Sequence, residues 1–150
     1  MFMVTEEPLV VNVDDPYQNG REHTPQIVTR ANALTATQRD WLERANTFYV
    51  ATATGSARVD TSRCGGPFGV LRVGDGKHLA WPEHDDKATF RALENLEVDS
   101  RCVILLVDRE NGATLQLSGH ACIDSNPSYF PEASRSVAFT IERIVETQIA

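Results

Sequence analysis

The chain has no apolar run long enough to cross a bilayer: its longest, 103–107, spans five residues, against roughly 20 for a spanning helix. The first residues, MFMVTEEPLVV, carry acids without a basic flank, so no signal peptide is expected. Repeats and low-complexity tracts are absent. Cysteine is scarce: Cys64, Cys102 and Cys122 are odd in number and widely spaced, without a CxxC pair. That pattern argues against a disulfide framework or a structural zinc site and fits a reducing cytoplasm. The chain also lacks a basic excess, with 14 Lys and Arg against 21 Asp and Glu and a net charge of −7. Broad attraction to nucleic acid or to anionic lipid is therefore not expected. His78 and His84, with Glu83, Asp85 and Asp86, are close in sequence but match no ligand spacing, so no metal site is expected.

What remains is an ordinary soluble composition, 41% hydrophobic over 150 residues, enough for one domain that buries about two-thirds of its unfolded surface. Residues 1–33 mix prolines, asparagines and a glycine with few periodic apolar positions, and are expected to form an extended arm along the domain or a partner subunit. The domain proper is 34–150. Thr35 with Gln38 resembles a capping box, and Ala36, Trp41, Leu42 and Ala45 give an apolar face, so a helix is expected over about 35–45. The period then changes. Phe48 to Ala51 are strand formers closed by Thr54, Gly55 and Ser56, with 58–63 returning as a hairpin. Two short strands, 70–73 and 77–81, flank Gly74-Asp75-Gly76 and end at Pro82. Asp85 or Asp86 can cap a helix reaching Leu96, with Phe90, Leu93 and Leu96 on one face. A buried strand over 102–108 turns at Asn111-Gly112 into 114–123. A last strand points Val137, Phe139 and Ile141 inward and Ala138, Thr140 and Glu142 outward.

Six or seven short antiparallel strands with at least two short helices make a mainly β (α+β) protein. A closed or split barrel is favoured because closure removes exposed edges; a sandwich is the alternative, without a Cys-Trp-Cys pattern to support it. The chemically richest segment is 61–73, TSRCGGPFGVLRV. Its adjacent Gly65 and Gly66 allow backbone N–H groups to approach an anion, and Arg63 offers a planar, permanently charged fork to phosphate oxygens. The bland alternatives are a plain inter-strand turn and a surface ion pair. Over 55–92 there are six basic residues against five acidic, a local surplus in an acidic chain. Cys64 is either a quiet, partly buried thiol or a reactive one beside Arg63, Cys102 and Cys122 read as core, His120 can face either side of its strand, and Tyr129-Phe130 reads as a loop anchor.

In order and spacing, FYVATA, VDTSRCGGPFGVLRV, LAWP, RALENLEVDSRCVILLVD, NGATLQLSGHA and SRSVAFTIERIV resemble the pyridoxamine 5′-phosphate oxidase-like, FMN-binding split-barrel superfamily, from about 34 to 146. The resemblance implies a six- to seven-stranded antiparallel split β-barrel and a homodimer holding FMN at the subunit interface. It places Ser62, Arg63, Gly65 and Gly66 at the FMN phosphate and Arg91 at a second phosphate contact. Asn95 matches a TLGNL-like segment, Trp81 ends the strand bordering the flavin, and Lys87 can act as a point charge. Cys64 stands where an arginine is common, Phe68 replaces a proline, Asp86 and Lys87 replace Gly-Asn, and Ala92 and Glu94 replace Thr and Gly. The implied activity is an FMN-dependent oxidoreductase acting on a small molecule, with the chemistry in the cofactor and no acid–base residue named. The alternatives are a non-catalytic dimeric binding or sensing barrel that has lost flavin, and a barrel using F420 or haem. The net negative charge disfavours the polyanionic F420, and no axial-ligand signature supports haem.

Overall fold

The computed structural model describes residues 26–55, 58–65, 71–82, 87–125, 130 and 135–149. They form β1 (Gln26–Ala31), α1 (Ala36–Arg44), β2 (Thr47–Ala53), β3 (Val59–Gly65), β4 (Arg72–Asp75) and β5 (His78–Pro82). Then follow α2 (Lys87–Val98), β6 (Arg101–Val107), β7 (Thr114–Asp124) and β8 (Ser136–Ile149). The strands run in the order β3-β2-β6-β7-β8-β5-β4, and β1 pairs with β8. Every pairing is antiparallel. Strands β3 and β4 end the path and do not pair with each other among the described residues. That unjoined seam makes the barrel a split one, as the sequence patterns lead one to expect.

The eighth strand is β1, at the end of the segment expected to be an extended arm. It pairs residue by residue with the end of β8, from Gln26↔Ile149 to Ala31↔Ile144. All six of its side chains are exposed, so backbone pairing alone holds it to the sheet. A strand without a buried face leaves no period-2 apolar signal. The rest of the expected arm, 1–25, lies outside the described residues.

Inside the barrel, Phe48, Phe139, Ile104, Leu106, Leu115, Leu117 and Ile144 are fully buried. Trp81 meets Phe48 edge-on, ring centroids 5.7 Å apart, and lies 6.2 Å from Phe139. Helix α1 closes the core with the buried Leu42. Its start is fixed by a complete capping box: Thr35 Oγ1 accepts from the Gln38 backbone N–H, and Gln38 Oε1 accepts from that of Thr35. The Gln38 side chain then donates to Glu146 on β8 at 3.1 Å, and the Leu34 N–H donates to the Gly76 carbonyl in the β4–β5 turn. One short helix thus ties two distant strands together.

Strand β8 keeps the expected alternation through Val137, Phe139 and Ile141. The register then shifts: Gly119 faces Ile141 while Ser118 faces Arg143, leaving Glu142 as the extra residue of a β-bulge. Ile144 resumes the inward face. The bulge also separates two partners, since β5 pairs with Ser136–Thr140 and β1 with Ile144–Ile149. Across from it, a Cβ on Gly119 would lie 1.9 Å from the Thr140 carbonyl oxygen.

Strands β6 and β7 are joined, as expected, through Asn111-Gly112, in the loop 108–113. It is closed by hydrogen bonds from Asp108 N–H to the Ala113 carbonyl and from Gly112 N–H to the Asp108 carbonyl. Gly112 takes φ 75°, the left-handed region that suits glycine. Cys64 and Cys102 are buried, and burial pushes the Cys102 thiol well above its ordinary pKa. Cys122, expected in the core, is exposed; alternation on β7 gives the inward position to Ala121 instead.

Candidate functional site

Period-2 alternation on β3 divides its side chains between two environments. Asp60, Ser62 and Cys64 share a face with their β2 partners Thr52, Val50 and Phe48, directed toward the core and α2. There Asn95 of α2 donates both hydrogens of its amide, to Thr52 Oγ1 at 3.0 Å and to Asp60 Oδ2 at 2.9 Å. The clasp holds α2 over the edge of the sheet next to the seam. Thr52 is buried, so Asn95→Ala strands a buried hydroxyl and a carboxylate together. We expect it to lower unfolding free energy by about 1–3 kcal/mol, read by urea denaturation; a change within error would mean that the clasp is not formed in solution.

The expected ligand residues fall into three groups. Ser62 is half-buried on the α2 side of β3. Lys87, Arg91 and Asn95 stand four residues apart and so share one stripe of α2. The Asn95 bonds turn that position toward β2 and β3, and Arg91 is exposed one turn before Asn95. Among the described residues Arg91 has no carboxylate partner. Gly65 ends β3, while Gly66 and the rest of the glycine-rich turn lie outside the described residues. Trp81 is at the end of β5, but its ring is only 2% exposed and packs on Phe48 and Phe139. Its indole builds the core and offers no face to a ligand. Asn95 likewise has both donors engaged, leaving only its carbonyl oxygen free to act.

Arg63 is separated from Ser62. Paired with Tyr49, it leaves β3 on the outer face and lines a groove of about 830 Å³ with Trp41, Arg44, Tyr49, Arg109 and Glu146. Arg44 is engaged by Asp40 at 3.0 Å, whereas Arg63 and Arg109 have no carboxylate partner among the described residues. The outer face also carries the exposed apolar Val59 and Val107. Adjacent in sequence, Ser62 and Arg63 thus serve opposite sides of one strand.

The α2 side has the chemistry of an anion site. Ser62 shares its face of β3 with Asp60, which α2 binds through Asn95, and the first described turn of α2 holds Lys87 and no acid, with Arg91 one turn on. The N-terminal N–H groups of a helix add to such a set. The residues present therefore fit a phosphate group. What the sequence did not disclose is the support: Thr52 and Asp60 orient α2 from 43 and 35 residues away. The only local sign was the pairing of polar residues with strand formers at Thr52 and Asp60.

The sequence pattern of the pyridoxamine 5′-phosphate oxidase family matches residues 34–148. No curated protein matches the chain in sequence. Among solved structures it is similar to HupZ of Group A Streptococcus, at 20% identity and a TM-score of 0.60, covering 74% of this chain and 91% of that one. A candidate pyridoxamine 5′-phosphate oxidase of Lactobacillus delbrueckii is 22% identical with a TM-score of 0.59, covering 76% and 94%. An FAD binding protein of Mycobacterium smegmatis is 13% identical with a TM-score of 0.52, covering 81% and 98%. At these identities the likeness is one of fold.

Proposed function

Because the chain belongs to the pyridoxamine 5′-phosphate oxidase family, we propose that it binds FMN beside the seam and passes electrons between a small reductant and a small-molecule acceptor. The observation that carries this reading is Arg91, exposed one turn before Asn95 on α2 and without a carboxylate partner among the described residues, together with the half-buried Ser62 on the α2 side of β3. The FAD binding described for the Mycobacterium smegmatis relative supports a flavin as the class of ligand.

FMN supplies hydride transfer at its ring nitrogen N5 when bound. Ser62 donates its O–H to the phosphate, and the Arg91 guanidinium donates a charge-assisted fork. Lys87 adds a cation at the helix start, where the backbone N–H groups favour an anion. Asn95, tied to Thr52 and Asp60, positions the helix that carries both cations. The buried Trp81 gives the end of β5 a rigid wall that water cannot enter. A second copy of the chain completes a homodimer with FMN at the subunit interface, and the protein works in the cytoplasm.

The test is an absorbance spectrum with an FMN titration. The native protein is expected to be yellow or to take up FMN with micromolar affinity. Arg91→Ala should raise Kd at least about tenfold, the equivalent of about 1.4 kcal/mol, whereas Arg63→Ala, on the opposite face, should stay within about threefold. Sedimentation should give the dimer mass. A colourless protein indifferent to FMN would favour a non-catalytic binding barrel. One observation points that way: Cys64 is buried in the core, so its position supplies no second cation.

A further inference from the structure

Away from α2 and its phosphate set, three side chains form a relay that the flavin reading does not use. Ser100 Oγ lies 2.7 Å from His120 Nδ1, and His120 Nε2 lies 3.1 Å from Glu142 Oε1. A carboxylate can only accept, so Glu142 takes the hydrogen of Nε2. The neutral ring then presents a lone pair at Nδ1, which accepts the Ser100 hydroxyl proton. The order hydroxyl, imidazole, carboxylate is that of an activated serine, with the ring nitrogens exchanged relative to the familiar triad.

The chain goes to some length to make this arrangement. Glu142 is the extra residue of the β8 bulge, two positions beyond Thr140, the partner of His120. The bulge is possible because Gly119, next to His120, has no Cβ to strike the Thr140 carbonyl. Bulges commonly re-aim side chains at functional sites. Ser100, in the turn between α2 and β6, is exposed and opens with His120 onto a cavity of about 330 Å³. On the face of the sheet that carries His120, its wall holds the small Ala80 and Ala138 beside the polar His78, Asp124 and Thr140.

We propose that Ser100 is a nucleophile, with His120 as its general base and Glu142 as the residue that positions the ring, and that the site takes acyl groups from small, uncharged esters. Ser100 Oγ bonds the ester carbonyl carbon as its proton passes to His120 Nδ1. The bond to the alcohol oxygen breaks, and the alcohol leaves with that proton. Water, deprotonated in turn by His120, releases the acid and restores the serine. No redox partner, metal or cofactor enters the balance, so the activity is independent of flavin. The small Ala80 and Ala138, with Asp124 on the same wall, favour a short uncharged acyl chain over an anionic one.

Charges around the ring are Glu142 on β8, Arg101, which pairs with His120 across β6 and β7, Asp99 beside Arg101, and Asp124, which lines the same cavity. Asp99 holds Arg101 at 2.6 Å, and that bond keeps the Asp99 carboxyl below its usual range. Across the cavity His78 is engaged by Asp75 at 2.8 Å. Arg101 is thus paired with Asp99, and Glu142 is the carboxylate in direct contact with the His120 ring.

The full-length protein is incubated with 4-nitrophenyl acetate and, separately, with a fluorophosphonate, and the adduct is located by peptide mass spectrometry. The expected result is a single adduct at Ser100, absent from Ser100→Ala. His120→Gln should slow its formation at least about 100-fold. Glu142→Ala should slow labelling at least about tenfold and Glu142→Asp should recover part of that rate, whereas a merely structural role would leave the rate of the folded variants in place. Far-UV dichroism and melting temperature verify that each variant is folded. Labelling confined to lysines, absence of any adduct, or a Ser100 adduct formed equally fast in folded His120→Gln would overturn the proposal.

Discussion

Gly119→Ala is expected to be among the most destabilising single substitutions in this chain, at about 3 kcal/mol or more, because the added methyl group has nowhere to go. A Cβ there would sit 1.9 Å from the Thr140 carbonyl oxygen, 3.0 Å from its carbon and 3.2 Å from the Glu142 nitrogen. All three are backbone atoms of the bulged strand, so no side chain can swing aside. Relief requires β7 and β8 to separate where they pair along the whole of β7. For a domain of this size the loss corresponds to a fall in melting temperature of roughly 6–12 °C. Calorimetry or urea denaturation checks it, and a variant within 1 kcal/mol of the parent would show that the bulge is not held as described. The same variant should also draw Glu142 away from His120, so any Ser100 labelling ought to fall with it.

Trp81→Ala should cost about 3–5 kcal/mol, the range for truncating a large buried aromatic. The indole is 2% exposed and is wedged between Phe48 of β2 and Phe139 of β8, so its loss leaves a cavity bordered by rigid rings. Trp81→Phe should recover most of that stability by refilling the space. The pair of variants separates two roles for one residue. If the indole acts only through the core, folded Trp81→Phe should bind FMN within about twofold of the parent. A tenfold loss of affinity in a folded Trp81→Phe protein would instead place the ring against the ligand.

Much of the barrel is legible in the chain because its rules are local. The Thr35 and Gln38 capping box sets the start of α1, and the 48–53 and 102–107 runs declare two buried strands. The last strand is legible only as far as Ile141. Beyond it the inward position moves by one at Glu142, and no residue type on β8 announces the shift; its necessary partner, Gly119, is on another strand. Strand β1 escapes notice for the opposite reason, since it buries no side chain and is specified by backbone pairing to β8. At the candidate site, residue types were easier to find than their orientation. Ser62 and Arg63 are neighbours in the sequence, yet the pleat sends one toward α2 and the other into the outer groove. Only the fold shows that Asn95 is occupied by Thr52 and Asp60.

The bulge at Glu142 also makes the spacing between Phe139 and Ile144 a matter of parity. Both side chains point into the barrel though they stand an odd number of positions apart, which an unbroken strand forbids. Deleting Glu142 would leave them four positions apart, the even spacing of a regular strand, with Gly119↔Ile141 followed directly by Ser118↔Arg143 and the β5 and β1 pairings kept. The extra residue is therefore not needed for the core or for the pairings of this strand; what it adds is a local bend and the placement of one side chain. Within the family, loss of this one residue should be tolerated better than any other change of length in the strand.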